Sequence, residues 1–198
     1  DMKKGSKVLI NGASGSIGSA AVQLAKYYGA EVTGVCGTPR VEMVKSLGAD
    51  KVIDYTQEDF TRNGETYDLI FDVIRKTSFK KCKNSLTPNG RYLLASFKTK
   101  QILEMVWTLL QSSFGEVSKR VICTIASEKK EDLVFIKELV ESGKIKALID
   151  RGFPMEDASE AHKYYESGNR TGSVLITNGF DYRVGESEEE YKDRMPVD

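Results

Sequence analysis

The chain has 198 residues, of which 29 are Lys or Arg and 29 are Asp or Glu, so its formal net charge at pH 7 is zero. That length suffices for one well-buried domain and is short for two. The balanced charge argues against a nucleic-acid-binding protein, and the longest apolar runs are too short to cross a bilayer.

The cysteines indicate the compartment. Cys36, Cys82 and Cys123 are widely spaced and form no Cys-x-x-Cys pair. Such usage is typical of a reducing environment rather than of a disulfide framework. No secretory signal is visible at the N-terminus. We therefore expect a soluble, cytoplasmic protein that binds neither nucleic acid nor a membrane.

An apolar strand at the start of the chain runs directly into a glycine-rich turn. Residues 7–18 read Lys-Val-Leu-Ile-Asn-Gly-Ala-Ser-Gly-Ser-Ile-Gly, and a helical pattern follows over residues 19–28. The glycines let a phosphate approach the backbone closely, and the helix directs its unpaired N–H groups at that charge. The turn therefore predicts a dinucleotide site, with a purely structural strand–turn–helix as the alternative.

Strands and helices continue to alternate along the chain. The pattern predicts strands over residues 31–36, 51–54, 68–72, 91–95, 120–125 and 173–177, helices over 40–47, 78–86, 101–110, 130–141 and 156–165, a turn over 87–90 and a short extended piece around Leu148. Such βαβ alternation implies a parallel sheet. We predict an α/β fold: a doubly wound, mostly parallel sheet of six or seven strands between two helical layers.

The end of the second strand bears on which cofactor binds. A carboxylate there favours NAD(H), whereas this strand ends in Cys36-Gly37-Thr38-Pro39-Arg40. Arg40 is placed to pair with a 2′-phosphate, Gly37 leaves room for it, and the Thr38 hydroxyl can donate to it. The sequence thus favours NADP(H); the alternative is that Arg40 is a solvated surface residue and Thr38 a helix cap.

A set of ordered motifs covers nearly all of residues 5–177. Besides the glycine-rich turn, it includes Leu47-Gly48-Ala49-Asp50, Val52-Ile53-Asp54-Tyr55, Tyr67-Asp68-Leu69-Ile70-Phe71-Asp72, Pro88-Asn89-Gly90-Arg91-Tyr92, Ser142-Gly143-Lys144-Ile145-Lys146, Ala158-Ser159-Glu160-Ala161-His162 and Gly172-Ser173-Val174-Leu175-Ile176. In this order the motifs resemble the quinone oxidoreductase and zinc-type alcohol dehydrogenase-like branch of the medium-chain dehydrogenases/reductases.

The resemblance implies a set of cofactor contacts. Arg40 and Tyr55 look like the pair that holds the 2′-phosphate. The other implied contacts are, at the pyrophosphate, Ala13, Ser14, Gly15, Ser16, Ile17 and Gly18; beside the nicotinamide ribose, Asp72, Val73 and Ile74; and after the fifth strand, Ser96 and Phe97, for which an ordinary strand end is the alternative. Ser16 and Ile74 stand where the family usually has glycine.

The resemblance also implies an activity: NADPH delivers a hydride to a quinone, an enone or a related carbonyl compound. In the family a GroES-like catalytic domain precedes the nucleotide domain, and we expect this chain to lack it. Residues 1–177 would form the NADP(H)-binding domain, inactive in isolation, and residues 178–198 a polar extension. The alternative is a non-catalytic NADP(H)-binding sensor or scaffold module.

The sequence identifies no catalytic side chain and no metal site. The single histidine, His162, has no cysteine near it, so we interpret it as a helix-surface residue. None of the nine tyrosines has a lysine four residues later, which argues against a short-chain dehydrogenase.

Two further expectations concern packing. Apolar residues recur at helical spacing at Leu103, Val106, Trp107 and Leu110 and predict a face packed in the core. The alternative is that in an intact enzyme this helix borders the substrate cleft. The strand over residues 120–125 is a candidate edge strand through which a homodimer would form.

Overall fold

The computed structural model describes residues 2–113, 119–123, 129–168 and 170–177. The strands are β1 (Lys7–Asn11), β2 (Glu31–Cys36), β3 (Lys51–Asp54), β4 (Tyr67–Asp72), β5 (Leu86–Leu94), β6 (Arg120–Cys123), β7 (Ile149–Pro154) and β8 (Ser173–Thr177). The α-helices are α1 (Ser16–Tyr27), α2 (Val41–Ser46), α3 (Phe79–Cys82), α4 (Thr99–Ser113), α5 (Lys130–Glu141) and α6 (Ala158–Glu166). The chain divides into two compact units, Asp1–Ala147 and Leu148–Asp198.

The first unit contains a six-stranded parallel sheet in the order β3-β2-β1-β4-β5-β6. β1 pairs with β2 on one side and with β4 on the other, so the strand order reverses there. At such a switch point the carboxyl ends of two neighbouring strands leave a crevice in which ligands bind. The predicted α/β fold with a doubly wound parallel sheet is confirmed.

Both faces of β1 are covered. Val8 and Ile10 belong to a cluster that includes Val22 of α1, whereas Leu9 belongs to a second cluster with Ile70 of β4. Side chains alternate between the two faces of a strand, so the two clusters lie on opposite sides of the sheet. The strand that leads into the glycine-rich turn is therefore fixed from both sides.

β5 begins earlier than predicted. Residues 87–90, predicted as a turn, lie inside this strand as an irregularity: Tyr67 pairs with Leu86, but Leu69 pairs with Arg91. Gly90 permits it, because a Cβ there would lie 2.9 Å from the Tyr67 carbonyl oxygen. The helix predicted over residues 78–86 is shortened accordingly to α3 and a 3₁₀ turn, Lys83–Ser85.

The prediction for the apolar residues of α4 is wrong. Leu103, Val106, Trp107 and Leu110 are 66%, 46%, 63% and 52% exposed. The helix is instead anchored by its polar Thr108, which is buried and whose Oγ1 accepts a hydrogen bond of 3.2 Å from the Val121 amide of β6. Helical periodicity identified the apolar stripe without identifying which face of the helix meets the sheet. Within the described ranges, no helix is long and apolar enough to span a membrane.

Replacing Trp107 with glutamine is expected to change the free energy of unfolding by no more than about 0.5 kcal/mol, because an exposed side chain loses little packing. Chemical denaturation followed by circular dichroism measures this change. A buried position on another helix provides the control: Leu139→Ala, on α5, removes a side chain that is 4% exposed and is expected to cost about 2 kcal/mol or more. A comparable loss in Trp107→Gln would contradict the exposed placement.

An ion pair connects α1 to the start of β3. Lys26 Nζ donates to both carboxylate oxygens of Asp50 at 2.8 Å, and the Val32 amide donates to Asp50 Oδ2 at 2.7 Å. Partial burial opposes ionisation of Asp50, but the hydrogen bonds from Lys26 and Val32 outweigh it and lower the pKa of this carboxyl. The ionised carboxylate thus stabilises the fold.

The stability of the first unit is therefore expected to decrease as the pH is lowered. A depressed folded-state pKa gives stability that is present above the ordinary Asp pKa and is lost as pH falls through the folded value. Asp50→Asn is expected to cost up to about 1 kcal/mol at pH 7, since the pair is partly exposed, and nothing at low pH. Urea denaturation at both pH values measures this. An equal cost at both would show that the ion pair contributes nothing.

The second unit contains its own two-stranded parallel sheet, in which β7 pairs with β8. Tyr164 of α6 donates to Asp150 Oδ2 at 2.6 Å, and the Arg151 guanidinium lies 4.4 Å from the Tyr164 ring centroid. The strand over Ser173–Thr177 is confirmed, but placing it in the large sheet was wrong. Alternation predicts that a strand exists, whereas its neighbour depends on packing.

Two boundary predictions remain open. The nucleotide domain over residues 1–177 stays a prediction, as does the extension over 178–198, which lies outside the described residues.

His162 is exposed on α6, as predicted.

Candidate dinucleotide site

The glycine-rich turn is tied to the neighbouring strand. The amides of Gly12 and Ala13 donate to the Val35 carbonyl of β2 at 3.1 and 3.0 Å, and the Gly15 amide donates to the Gly12 carbonyl at 3.2 Å. Gly12 has φ +93°, a conformation that a residue with a Cβ rarely adopts. The turn is therefore shaped by backbone bonds before any ligand binds.

Gly18 sets how closely α1 approaches this turn. A Cβ at Gly18 would overlap the Gly12 carbonyl oxygen and would lie 2.9 Å from Ala13 Cα. Gly15 is different, because a Cβ there would meet only the Gly12 oxygen at an ordinary 3.6 Å. The third glycine of the predicted motif thus serves close packing of the helix, and the second lies at the open side.

The amino end of α1 favours an anion. The first i→i−4 bond is donated by Ser19 to the Gly15 carbonyl at 2.8 Å, and the first turn contains no acidic residue. The positive end of the helix dipole is therefore not neutralised by a carboxylate of that turn. Ser14, Gly15 and Ser16 are half-buried and Ile17 is exposed, so a phosphate can reach the backbone here. We call this opening, formed by residues 14–17, the phosphate mouth. Ala13 and Gly18 are buried beneath it and offer only backbone.

At the end of β2, Gly37 and Tyr55 lie together. A Cβ at Gly37 would lie 3.3 Å from the Tyr55 hydroxyl oxygen and 3.4 and 3.5 Å from two of its ring carbons, and the Tyr55 amide donates to the Cys36 carbonyl at 3.0 Å. The Tyr55 side chain is 58% exposed, so its ring forms a wall open to solvent. Arg40 is half-buried at the end of the 3₁₀ turn Thr38–Arg40, beyond Gly37.

The Thr38 hydroxyl, predicted to donate to a 2′-phosphate, is hydrogen-bonded to a carboxylate. It donates to Asp54 Oδ2 at 2.5 Å, while the Thr56 amide and hydroxyl donate to Asp54 Oδ1 at 2.9 and 2.8 Å. These bonds, led by that from Thr38, hold the pKa of Asp54 below its ordinary value. A carboxylate therefore does lie beside the end of β2, contrary to prediction. It comes from β3, whose last residue pairs in register with Cys36.

Asp72, predicted to lie beside a ribose, is fully buried. Its Oδ1 accepts from Asn11 Nδ2 and from the Arg75 amide, both at 3.0 Å, and its Oδ2 accepts from the Tyr92 hydroxyl at 2.6 Å. The Asp72 carbonyl accepts from the Ala95 amide at 3.3 Å. Its side chain thus joins β1, β4 and β5 rather than facing the crevice.

The residues after β4 and β5 reach the carboxyl edge of the sheet. Val73 is half-buried and its amide donates to the Asn11 carbonyl at 3.1 Å. Ile74 is 42% exposed and lies against the glycine-rich turn, since a Cβ at Gly12 would be 2.6 Å from Ile74 Cγ2. Ser96 is exposed, whereas Phe97 is half-buried against the core cluster that includes Leu9. The role of Ser96 and Phe97 in cofactor binding stays a prediction.

A cavity of about 290 Å³ opens at this edge, beyond the ends of the first four strands. Two of the predicted contacts, Tyr55 and Ile74, line it together with Asn11 and Val35, which were not predicted. The lining also contains side chains that sequence reasoning missed, Lys76, Lys81, Glu58 and Asp59 among them. They lie in segments after β3 and after β4, where the strand order alone would have indicated a ligand-facing loop.

A dinucleotide fits these residues. The turn offers a phosphate mouth where Gly15 lacks a Cβ, the helix end attracts negative charge, and the adjoining cavity has an aromatic wall in Tyr55. Lys76 and Lys81 in the cavity lining are balanced by Glu58 and Asp59, so the attraction for negative charge comes from the turn and the amino end of α1. The arrangement can therefore hold an elongated, anionic ligand along the carboxyl edge of the sheet.

Two of the three thiols are buried. Burial raises the pKa of Cys36 and of Cys82 to about 11, so both are protonated at neutral pH. Among the residues that the structure describes, no three His, Cys, Asp or Glu side chains come together as a metal site. The expectation of no metal stays a prediction.

Comparisons with known proteins agree with this geometry. The profile of the zinc-binding dehydrogenase family matches residues 47–176. The chain is 31% identical over 177 residues to the chloroplast envelope quinone oxidoreductase homolog of Arabidopsis thaliana, covering 87% of this chain and 53% of that protein. It is 29% identical over 180 residues to the chloroplastic NADPH-dependent alkenal/one oxidoreductase of the same plant, covering 89% and 42%.

A solved structure shows the same fold. The quinone oxidoreductase from Coxiella burnetii superposes with a TM-score of 0.76 at 24% identity, over 91% of this chain and 54% of that one. The chain thus spans about half the length of the relatives it matches. With the profile covering most of its length, the chain belongs to the zinc-binding dehydrogenase family, within the medium-chain dehydrogenases/reductases.

Proposed function

We propose that this chain is the cofactor-binding domain of an NADPH-dependent oxidoreductase that reduces a quinone, an enone or a related carbonyl compound. One observation carries the proposal: the glycine-rich turn, the amino end of α1 and the cavity lined by Tyr55 and Ile74 meet at the switch point of the sheet. The names of the relatives, a quinone oxidoreductase homolog and an alkenal/one oxidoreductase, support the reaction class.

The preference for NADP(H) rests on the end of β2. The Arg40 guanidinium, with its planar set of donors, is suited to a phosphate, and the Tyr55 ring beside Gly37 bounds the same corner. Asp54 opposes a 2′-phosphate by its charge, and its bond to Thr38 occupies the hydroxyl proton that the sequence assigned to that phosphate. We favour NADP(H) because the Arg40 guanidinium can form charge-assisted hydrogen bonds to a 2′-phosphate, whereas the Asp54 carboxylate is already engaged by Thr38 and Thr56.

The chain's own residues bind and orient the cofactor. The turn and the end of α1 hold the pyrophosphate, and the residues after β4 and β5 border the nicotinamide half. When bound, the nicotinamide supplies a hydride to the electrophilic carbon of the acceptor. The proton that accompanies the hydride comes from a part of the enzyme that contacts the substrate.

Calorimetric titration of the chain with NADPH and with NADH tests the proposal. Saturable binding of NADPH, with weaker binding of NADH, is the expected result. Equal binding of both would retain the dinucleotide site and overturn the NADP(H) preference. If neither nucleotide binds, the proposal that this chain binds the cofactor is wrong.

A further inference from the structure

A chain of contacts connects the buried carboxylate of Asp72 to the glycine-rich turn. Asp72 accepts the amide proton of Arg75, which has φ +53° and is the one non-glycine residue in the described ranges with a positive φ. Backbone strain of this kind persists only where surrounding contacts impose it, and it clusters at ligand sites. Asp72 is such a contact.

Ile74 transmits the position of this segment to the turn. It immediately precedes Arg75, and its Cγ2 lies so close to Gly12 that a Cβ on that glycine would be only 2.6 Å away. Ile74 also lines the cavity beside the turn. Any shift of residues 73–75 therefore changes the packing on Gly12 and the shape of the cavity at once.

The other end of this contact chain is Tyr92 of β5. Its hydroxyl donates to Asp72 at 2.6 Å, and the residue is 1% exposed. Burial, together with the hydrogen bond to Asp72, raises the pKa of Tyr92, so the phenol keeps its proton and remains a donor. Asn11 supplies the third bond to the same carboxylate. Without Tyr92, one oxygen of a fully buried carboxylate would lose the bond that this hydroxyl supplies.

We propose that Tyr92 and Asp72 are positioning residues that hold residues 73–75, and through Ile74 the glycine-rich turn, in the arrangement that binds the dinucleotide. Both side chains are buried, and neither is among the residues that line the cavity. The inference rests on the proposed cofactor-binding function and adds to it two residues that act through hydrogen bonds inside the sheet.

The test uses Tyr92→Phe in the full chain, titrated with NADPH and with NADH at a temperature where circular dichroism shows it folded. Because the pair acts on the turn and not on the 2′ position, both affinities are expected to fall by the same factor, about two- to thirtyfold. The ratio of the two affinities should not change. If Tyr92→Phe does not fold, Asp72→Asn, which keeps the volume and one acceptor oxygen, carries the same expectation.

Two variants separate positioning from stability. Tyr67→Phe removes a buried hydroxyl at the amino end of β4, away from the carboxyl edge of the sheet, and it should leave both affinities unchanged. Leu139→Ala lowers the melting temperature from a position on α5, outside both core clusters, and should also leave them unchanged. Unchanged affinities in Tyr92→Phe, with a lowered melting temperature, would show a structural role only. If the unmodified chain binds neither nucleotide, both the proposed function and this inference are overturned.

Discussion

Replacing Arg40 with alanine is expected to weaken NADPH binding by about 2 kcal/mol, or about thirtyfold, while NADH binding stays within a factor of two. The reason is that a guanidinium forms charge-assisted hydrogen bonds to a phosphate, and NADH has no phosphate at its 2′ position. Parallel calorimetric titrations of the two nucleotides measure the difference. An equal loss for both would show that Arg40 supports the fold rather than the 2′ group.

Two variants sharpen this test. Arg91→Ala removes a guanidinium that is exposed near the start of the regular β4–β5 pairing, several residues before the carboxyl edge, and should change neither affinity. Asp54→Asn removes the negative charge bonded to Thr38 and should strengthen NADPH binding without affecting NADH. If Asp54→Asn instead weakens NADH selectively, Asp54 accepts a ribose hydroxyl and the preference for NADP(H) is wrong.

Replacing Gly18 with alanine is expected to lower the free energy of unfolding by about 3 kcal/mol and to abolish nucleotide binding. The added methyl group would overlap the Gly12 carbonyl oxygen, which is backbone and has no rotamer to adopt. α1 would have to move away from β1, and its amino end would move with it. Urea denaturation measures the stability, and titration of whatever folded protein remains measures the binding.

Gly15→Ala is the matched control, because it adds the same methyl group one turn earlier. Gly15 has φ −82°, which alanine adopts readily, and its Cβ would meet the Gly12 oxygen at 3.6 Å. Stability should therefore change by less than about 1 kcal/mol, whereas affinity falls because the methyl group enters the phosphate mouth. Equal destabilisation by the two variants would contradict the packing described for Gly18.

The end of β2 illustrates how far local sequence reasoning reaches. The residues Cys36 to Arg40 were correctly placed at the carboxyl edge, and the lack of a carboxylate among them is a fact of the sequence. Asp54, however, lies eighteen positions after Cys36 and arrives there because β3 pairs in parallel register with β2. Its bond to Thr38 depends on that pairing, so inspection of the β2 end alone missed it.

For Asp72 and α4, the local sequence predicted the position in the chain but not what would be buried. The motif around Asp72 predicted its place at the end of β4 but not that Asn11, Tyr92 and Arg75 would enclose its carboxylate. The apolar spacing of α4 predicted a helix but not that its apolar stripe would be exposed while Thr108 is buried. Periodicity describes one element, whereas burial depends on which neighbour covers it.

By itself, the sequence determined the order of strands and helices, the parallel α/β class and the glycine-rich turn, because hydrophobic period, turn residues and glycine content are local properties of the chain. Tertiary structure alone decided that β8 pairs with β7 in a separate sheet, that Asp54 meets Thr38, and that Tyr92 and Asp72 connect to the turn through Ile74. These contacts join residues far apart in sequence, and their existence follows from strand register and packing, which no single segment encodes.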